Sequence, residues 1–452
     1  MRGAWLLAFA LLVFVAGCSH HDHQRTATTV TPARFAGVHA CGKATCATLT
    51  VPLDHSGRTP GRLTLRVAMV GPATAPQGTL VFLTGGPGQP GTPFVGRVRR
   101  RVGAALRGYR LVMFDQRGTG RGALQCPALQ RAAGASDLAV PPPSAIDACA
   151  RTLGAKRAFF TTQDTVADLE LLRRALGVSS WTLDGVSYGT FVAERYALAH
   201  PRRVRKLVLD SVVPQTGIEP FQLDTIHAVP RVLRSACAER RCGTDPARDL
   251  AAVVRSRHNG PALLDTLVIL SIVDPEFRAV PSMLSEARAG RPARLERLIA
   301  AVHRGSGVPA RILSQGLHAS TACEDWTRPW GGPDTPLAKR GPAIRAAAAR
   351  LTAGKLWPFD RATAAGNGEL LTCLRWPPIP VKPPAATGSL PNVPVLLIAG
   401  DRDLSTPLVW AQAEARHAPR GRLVIVRGAG HGGQLRAHNP VARDAVARFL
   451  QG

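Results

Sequence analysis

Short apolar runs alternate with helical patterns through the first half of the chain, and this alternation restricts the possible folds most strongly. Five runs have the length and composition of buried strands: Leu63–Val70, Thr79–Leu83, Arg110–Phe114, Trp181–Leu183 and Lys206–Leu209. Leucines at helical spacing in Val166–Leu176, and the run Thr190–Ala199, predict helices between them. This β-α-β alternation predicts a mainly parallel, doubly wound α/β sheet.

The alternation stops after the fifth strand and resumes near the C-terminus. From about residue 215 to 387 the chain is rich in proline and has mostly helical patterns, and strand patterns return at Val395–Ala399 and Arg422–Val426. A chain of 452 residues is long enough for a large core with a sizeable insertion. We therefore predict a core of residues 34–214 and 388–452, with an inserted helical lid of residues 215–387.

Residues Gly185–Gly189 have the pattern Gly-x-Ser-x-Gly between a predicted strand and a predicted helix. The bare pattern arises by chance, but in this setting it predicts a nucleophile elbow, a strained turn that holds a serine above the sheet. Glycines are needed on both sides because larger residues would clash with the neighbouring strand and helix. Ser187 is therefore the candidate nucleophile, with the positive end of the following helix directed at its oxyanion.

A serine nucleophile needs a histidine base and a carboxylate that orients the base. After an elbow of this kind the chain order is serine, acid, histidine. Asp403 and His431 have that order, and each follows one of the last two predicted strands, where open α/β sheets bind ligands. Asp401 is the alternative acid. We prefer Asp403 because it lies three residues after the glycine that ends the strand and shortly before a Thr-Pro pair.

An oxyanion hole requires two backbone N–H groups. Tyr188, directly after the nucleophile, is expected to supply one. The second is expected from the Gly-Gly-Pro-Gly loop after the second strand, at Gly86 or at its neighbour Gly85. Asp115 and Arg117 follow the third strand, and we expect them to form an ion pair that braces this loop.

The N-terminus has the features of an export signal. Arg2 precedes the apolar stretch Ala4–Ala16, which is too short to span a bilayer and ends in Val-Ala-Gly-Cys, similar to a bacterial lipobox. We predict a lipoprotein signal peptide over residues 1–18, lipidation of Cys18 and a flexible tether over residues 19–33. The protein would then be exported and held at a membrane of the bacterial cell envelope. An ordinary signal peptide is the alternative.

Eight cysteines remain besides Cys18, an even number that predicts four disulfides in an oxidising compartment. Proximity along the chain favours four pairs: Cys41 with Cys46, Cys126 with Cys149, Cys237 with Cys242, and Cys323 with Cys373. Paired C-x-x-C spacings typical of metal sites do not occur, so we predict neither a metal nor a cofactor.

The formal net charge of +27 would suit a nucleic-acid partner or an anionic surface. Six of the 57 basic residues are lysines, and the arginines are spread along the chain without a recognisable nucleic-acid motif. This skew is typical of a GC-rich genome. We therefore predict no nucleic-acid partner, while weak attraction to anionic lipid or cell wall remains compatible with the charge.

Five motifs together resemble the proline iminopeptidase family, and most closely its secreted tripeptidyl-aminopeptidase branch. They are Gly85–Gly88, Phe114–Gly120, Gly185–Thr190, Asp403 before Thr406-Pro407, and Gly430–Gly432. The resemblance covers nearly all of the mature chain, although the lid matches only in patches. It implies an α/β-hydrolase fold and a serine peptidase that releases short peptides or single residues from free peptide N-termini through an acyl-enzyme.

Enzymes of this family bind the substrate ammonium group with carboxylates of the lid. The stretch Cys323–Trp326 resembles a Cys-x-Asp segment in the lid of that branch, which makes Asp325 the candidate anchor and Glu324 the second choice. The alternative is an exposed acidic pair beside a disulfide. Two residues depart from the family pattern: Thr84 stands where many members have histidine, and Asp184 stands where an uncharged residue is commoner.

Two other functions fit the same sequence. The triad would also serve a carboxylesterase, because this fold accepts many acyl substrates. A lipid-anchored binding protein on a retired hydrolase scaffold is a third possibility, and the complete triad argues against it. The predicted partners are a peptide with a free N-terminus and the membrane, while the sequence leaves the oligomeric state open.

Overall fold

In the computed structural model, which describes residues 34–239, 241–380, 382 and 385–452, nine strands form one sheet. The strands are β1 (Phe35–Cys41), β2 (Ala44–Pro52), β3 (Arg62–Val70), β4 (Gly78–Leu83), β5 (Tyr109–Phe114), β6 (Trp181–Val186), β7 (Val204–Asp210), β8 (Val395–Gly400) and β9 (Gly421–Val426). From one edge to the other their order is β1-β2-β3-β5-β4-β6-β7-β8-β9. The predicted signal peptide, Cys18 and the tether lie outside the described residues.

Most of the sheet is parallel. The pairs from β5 through β4, β6, β7 and β8 to β9 are all parallel, whereas β1, β2, β3 and β5 pair in antiparallel fashion. The predicted α/β class is therefore confirmed, and each of the seven strands predicted from sequence is present. The hairpin of β1 and β2 was not predicted, because β1 is largely exposed and lacks a hydrophobic pattern.

Helices connect the strands and build the inserted block. They are α1 (Val95–Val102), α2 (Pro127–Ala133), α3 (Pro143–Leu153), α4 (Thr162–Ala175), α5 (Tyr188–Ala199), α6 (Leu223–Ala238), α7 (Pro246–Arg257), α8 (Gly260–Val273), α9 (Val280–Arg288), α10 (Ala293–Gly305), α11 (Gln315–Asp325), α12 (Leu337–Ala349), α13 (Ala353–Leu356), α14 (Arg361–Ala365), α15 (Gly368–Arg375), α16 (Leu408–Ala415), α17 (Gly433–Arg436) and α18 (Val441–Gln451).

The two faces of the sheet bury separate apolar clusters. Successive side chains of a strand point to opposite faces. In β4, Val81 and Leu83 accordingly pack in the cluster that includes residues of α4 and α5, whereas Leu80 and Phe82 pack in the cluster that includes residues of α1 and α18. Helices therefore cover both faces, as a doubly wound sheet requires.

A block of helices, α6 to α15, lies in the chain between β7 and β8. Many of its buried apolar residues, among them Ile226, Leu250 and Leu264, form a cluster separate from the two clusters of the sheet, and Leu138 and Leu404 from outside the block join it. This block occupies the part of the chain for which a lid was predicted, and its role as a lid stays a prediction. The predicted limits, residues 215 and 387, fall in the segments before α6 and after α15.

The structure contains the four disulfides that sequence proximity favours. Their Cα–Cα separations are 4.9 to 5.7 Å, within the usual range for disulfides. Three of the four bonds stabilise segments outside the sheet, and the bond of Cys41 with Cys46 closes the turn between β1 and β2.

Candidate active site

Ser187 lies in the turn between β6 and α5, with φ 59° and ψ −130°. Residues with a side chain rarely adopt this conformation, and it persists where the surrounding structure enforces it. Side chains at Gly185 or Gly189 would collide with backbone: a Cβ at Gly185 would meet the Gly189 carbonyl oxygen, and one at Gly189 would meet the Leu83 carbonyl oxygen. The turn therefore has the geometry of the predicted nucleophile elbow.

Asp403 and His431 are hydrogen-bonded to each other, with 2.9 Å between Asp403 Oδ2 and His431 Nδ1. Three further groups donate to the buried carboxylate: Thr406 Oγ1 to Oδ2 (2.6 Å), and the Ser405 and Thr406 N–H groups to Oδ1 (both 2.9 Å). Burial raises the pKa of Asp403, but the charge of His431 and these hydrogen bonds outweigh burial and hold the pKa below its ordinary value. Asp403 is therefore an ionised carboxylate directed at the imidazole.

Ser187 and His431 line the same cavity, which encloses about 930 Å³. Because Nδ1 of His431 is bound to Asp403, Nε2 is the ring nitrogen that remains for the serine hydroxyl. The structure thus brings together the three residues predicted from sequence to form a triad.

The alternative acid, Asp401, has a different role. Its Oδ1 accepts the N–H of Gly428 at 2.8 Å, and the residue is half-buried. The structure therefore places Asp403, and not Asp401, against His431.

The loop that carries His431 is held by the end of β7. Ser211 Oγ accepts the N–H of residue 432 at 2.7 Å, and the Asp210 carboxylate accepts the N–H groups of residues 433 and 434 at 3.0 and 2.8 Å. Burial raises the pKa of Asp210 to about 6, against the opposing effect of these hydrogen bonds. Sequence reasoning missed this anchor, although a polar pair directly after a core strand was a usable signal.

The two departures from the family pattern have local roles. Asp184 is buried and accepts a hydrogen bond from Gln434 Nε2 at 2.8 Å, so it stabilises the segment that follows His431. Burial raises its pKa well above the ordinary value. Thr84 lines the Ser187 cavity, and its hydroxyl donates to the Gln89 carbonyl at 2.9 Å, which closes the glycine-rich loop on itself.

The predicted oxyanion donors surround Ser187. Tyr188 is the first residue of α5, so its N–H group has no acceptor within the helix. Gly85 and Gly86 line the cavity, and among the described residues neither N–H group has a hydrogen-bond acceptor. A Cβ at Gly85 would lie 2.9 Å from Ser187 Cβ, which shows how closely this loop approaches the serine. Either glycine can supply the second donor.

The expected ion pair of Asp115 with Arg117 is not formed. Arg117 is buried and donates to both oxygens of Asp168, at 2.7 and 2.6 Å, because helix α4 packs directly over it. Asp115 accepts the N–H of Thr92 at 2.8 Å instead. Both residues brace the loops around the site, but through other partners than the sequence suggested.

The acidic pair predicted to bind the substrate ammonium group does not line the Ser187 cavity. Glu324 and Asp325 line a separate cavity of about 1,330 Å³. Asp325, the last residue of α11, accepts the N–H of Thr162 at 2.7 Å, and the Thr162 hydroxyl is 2.7 Å from the hydroxyl of Tyr188. Asp325 is therefore linked to the elbow by hydrogen bonds through Thr162 and the Tyr188 hydroxyl, and not through the Ser187 cavity.

Both members of this pair have perturbed acidity. Burial raises the pKa of Asp325 to about 6, against the opposing effect of its hydrogen bonds with Thr162. Burial, and then the charge of Asp325, raise the pKa of Glu324 well above its ordinary value. Neither carboxylate oxygen of Glu324 has a hydrogen-bond partner among the described residues.

The carboxylate that does line the Ser187 cavity is Asp137, in the segment between α2 and α3. Its side chain is 35% exposed and lies 3.7 Å from Nδ1 of His318. Burial raises the pKa of Asp137, against the opposing charges of His318 and His431. Sequence reasoning did not single out this residue, because it lies in an irregular segment without a motif.

The described residues contain no group of three or more metal-binding side chains arranged around a common point. Within the same part of the chain, no helix has the length and apolar character to cross a membrane.

Comparison with known proteins identifies relatives along most of the chain. The profile of a family described as α/β hydrolase fold matches residues 78–437. A tripeptidyl aminopeptidase of Streptomyces lividans is 27% identical over 456 aligned positions, which cover 90% of this chain and 81% of that protein. A probable proline iminopeptidase of Streptomyces coelicolor is 36% identical over 140 positions, 31% of this chain and 34% of that protein. The resemblance inferred from the motifs is thereby confirmed.

Proposed function

Because the chain belongs to the α/β-hydrolase fold family, we propose that it is a serine aminopeptidase. It would release short peptides or single residues from free peptide N-termini through an acyl-enzyme. One observation carries the proposal: a single cavity is lined by Ser187, by His431, whose Nδ1 is bound to Asp403 behind it, and by the carboxylate of Asp137. The similarity to tripeptidyl aminopeptidases over 90% of the chain supports a peptide substrate.

The first half of the reaction forms the acyl-enzyme. Ser187 Oγ attacks the scissile carbonyl carbon while its proton passes to His431 Nε2, and Asp403 stabilises the imidazolium that results. The N–H groups of Tyr188 and of Gly86 or Gly85 stabilise the oxyanion. The C–N bond then breaks, and His431 gives its proton to the leaving amine.

The second half releases the acyl group. A water molecule gives a proton to His431 and attacks the ester carbon, which forms a second tetrahedral intermediate at the same oxyanion site. The intermediate collapses, the bond to Ser187 Oγ breaks, and His431 returns the proton to the serine. The product is a peptide or amino acid with a new carboxylate.

The free N-terminus of the substrate would be recognised by Asp137. This residue replaces Asp325 and Glu324 in the proposal, because it lines the cavity of the nucleophile and they line another. Since burial raises the pKa of Asp137, an ammonium group beside it would supply the counter-charge that favours the ionised form. A substrate with a blocked, neutral N-terminus lacks that interaction.

We also propose that the enzyme is exported and held at a bacterial membrane by a lipid on Cys18. The lipobox-like sequence before Cys18 supports this proposal, and the four disulfides fit an oxidising compartment outside the cytoplasm. Replacement of Cys18 by alanine should move the protein from the membrane fraction to the soluble fraction. Unchanged membrane association would contradict lipid anchoring.

The catalytic proposal is tested with a fluorophosphonate probe and paired substrates. The probe should label the wild type and leave Ser187→Ala unlabelled, and peptides with a free N-terminus should be cleaved while their N-acetylated forms are not. Asp137→Asn should raise KM for free-amine peptides about tenfold. The control Asp147→Asn changes an exposed acid paired with Arg375 outside the cavity and should leave KM unchanged. Cleavage of simple esters without cleavage of free or acetylated peptides would support a carboxylesterase instead.

A further inference from the structure

Two cavities adjoin at the catalytic histidine. The second encloses about 1,550 Å³, and His431, Arg97 and Arg436 line both. Ser187 and Asp137 line the first cavity and not the second. The two arginines therefore border the reacting groups on the side where the second cavity begins, and Asp137 does not lie on that shared border.

Neither arginine has a partner among the described residues. Arg97 lies on α1 and Arg436 ends α17, and no ion pair or side-chain hydrogen bond joins either guanidinium to another described residue. Two other arginines of the second cavity are engaged, since Arg402 pairs with Glu239 and Arg101 donates to the Ala437 carbonyl at 2.8 Å. Arg427 lines only the second cavity and does not border His431's other cavity. Arg97 and Arg436 thus have donors that are available to a ligand in the cavities that they line.

The charges of the two arginines affect each other. Burial, and then the charge of Arg97, lower the pKa of Arg436, while Asp403 and Asp210 raise it without forming an ion pair with it. Guanidinium groups stay protonated at neutral pH, so the pair is a standing concentration of positive charge. A bound anion would relieve the repulsion, and the planar donors of arginine match the two oxygens of a carboxylate.

We propose that Arg97 and Arg436 bind a carboxylate of the substrate on the leaving-group side of the scissile bond. The enzyme would then prefer short peptides, whose C-terminal carboxylate lies close to the bond that is cut. This inference rests on the proposed peptidase function and adds a substrate class to it.

The position of His431 assigns the leaving-group side. His431 delivers the proton to the departing amine, so the leaving group must lie beside its imidazole. The two arginines line the same two cavities as His431, and Arg436 is five residues further along the chain. Asp137 lies on the first cavity alone, so the site has a negative group for one end of a peptide and positive groups for the other. A short zwitterionic peptide has the matching distribution of charge.

The test compares alanine peptides of three to six residues, each with a free C-terminus and as the C-terminal amide, with products measured by mass spectrometry. The wild type should cleave the free acid about tenfold faster than the amide, in kcat/KM, at the shortest length that is cut. This preference should decrease with peptide length and with added salt, since salt screens exposed charges. Arg97→Gln and Arg436→Gln should each reduce the ratio, and the double variant should bring it to about one.

A matched control lies on the same helix. Arg99 is also on α1 but lines a different cavity, together with residues such as Cys41 and Val70. Arg99→Gln removes the same charge and should keep the preference for the free acid. Melting temperatures of all variants establish that they are folded.

A third peptide distinguishes the C-terminal carboxylate from an acidic side chain as the group that the two arginines bind. It is a C-terminal amide with glutamate directly after the cleaved bond. If this peptide is cleaved faster than the alanine amides and the free acids are not, the arginines bind an acidic side chain, and the preference for short peptides is overturned.

Equal rates for acid and amide in the wild type, with free-amine p-nitroanilides still cleaved, would overturn the inference and leave the aminopeptidase proposal intact. Failure to cleave any free-amine substrate would instead overturn the proposed function.

Discussion

Asp403 binds His431 through the imidazole Nδ1, at 2.9 Å, while every other polar contact of this carboxylate comes from the residues that immediately follow it. The turn Asp403–Thr406 therefore fixes the carboxylate before substrate arrives. A carboxylate fixed in this way sets the tautomer and the direction of the imidazole, which leaves Nε2 free to accept the serine proton.

The assignment of the acid predicts unequal effects at two neighbouring aspartates. Asp403→Asn removes the charge that stabilises the imidazolium and should reduce kcat by about 10³–10⁴-fold on any acyl substrate. Asp401→Asn alters a turn hydrogen bond to Gly428 and should change kcat less than about threefold, as expected for a half-buried polar contact. Steady-state kinetics on one peptide and one ester measure both. A comparable loss in Asp401→Asn would show that the acid is wrongly assigned.

Thr406 contributes a hydroxyl to the same carboxylate, and its Oγ1 lies 3.2 Å from His431 Nδ1. Thr406→Val keeps the shape but removes the donor, so kcat should fall about tenfold, consistent with the loss of one hydrogen bond to a charged group. The pH profile of kcat/KM should also change, because the Thr406 hydrogen bonds help to hold the pKa of Asp403 below its ordinary value. Thr406→Ser restores the hydroxyl and should recover most of the activity. A serine variant as impaired as the valine variant would indicate a packing role.

The buried ion pair of Arg117 and Asp168 predicts a large effect on stability. Asp168→Ala leaves the Arg117 charge buried without its main partner and should lower the free energy of unfolding by about 3–5 kcal/mol. The control, Glu296→Ala, removes an exposed partner of Arg257 and should cost at most about 1 kcal/mol. Urea denaturation followed by circular dichroism measures both. Similar losses in the two variants would contradict the structural role assigned to Asp168.

The raised pKa of Asp325 predicts that its replacement by asparagine stabilises the protein, and that the size of this effect depends on pH. Its pKa in the folded protein, about 6, lies above that in the unfolded chain, so the charged form is disfavoured by folding. The wild type therefore loses stability from this group as the pH rises from about 4 through about 6. Asp325→Asn is neutral throughout and should be more stable than the wild type by about 1–3 kcal/mol at pH 7–8, with the gain vanishing near pH 4.

Replacement by asparagine should instead destabilise the protein at an acid whose charge is stabilised by a partner. The hydrogen bond from Arg375 lowers the pKa of Asp147, so Asp147→Asn should lose a little stability at pH 7 and none at low pH. Urea midpoints at pH 4, 6 and 8 give both curves. An Asp325→Asn gain of the same size at pH 4 and pH 8 would exclude titration of Asp325 as its source.

The sequence predicts the strands well, and it predicts that Ser187, Asp403 and His431 follow strand ends, because both features depend on local rules. Carboxyl ends of parallel strands share one edge of a sheet, so Ser187, Asp403 and His431 converge once three strands and their order along the chain are recognised. The glycines at 185 and 189 signal the elbow because backbone oxygens occupy the space where their Cβ atoms would lie.

The rest of the site depends on how distant segments pack, which has no local signature. Arg117 pairs with Asp168 because α4 crosses above it, and nothing near Arg117 in the chain indicates this helix. Asp325 was placed at the substrate from its neighbourhood in the lid sequence. The packing of α11 instead directs its carboxylate to the Thr162 N–H group. Asp137 and Arg97 reach the cavity from a loop and a helix face whose orientation only the folded chain defines.

Asp210 contacts both reacting segments at once. Its carbonyl accepts the Ser187 N–H at 2.9 Å, while its carboxylate holds the loop that follows His431, and the chain leaves for the helical block shortly afterwards. Asp210, a residue of the sheet, therefore contacts both the segment of the nucleophile and the segment of the base. Two proteins of this fold can differ in the helical block and therefore in the substrates that they bind. The distances between their catalytic groups need not change. The fold thus allows substrate range to diversify independently of the bond-breaking machinery.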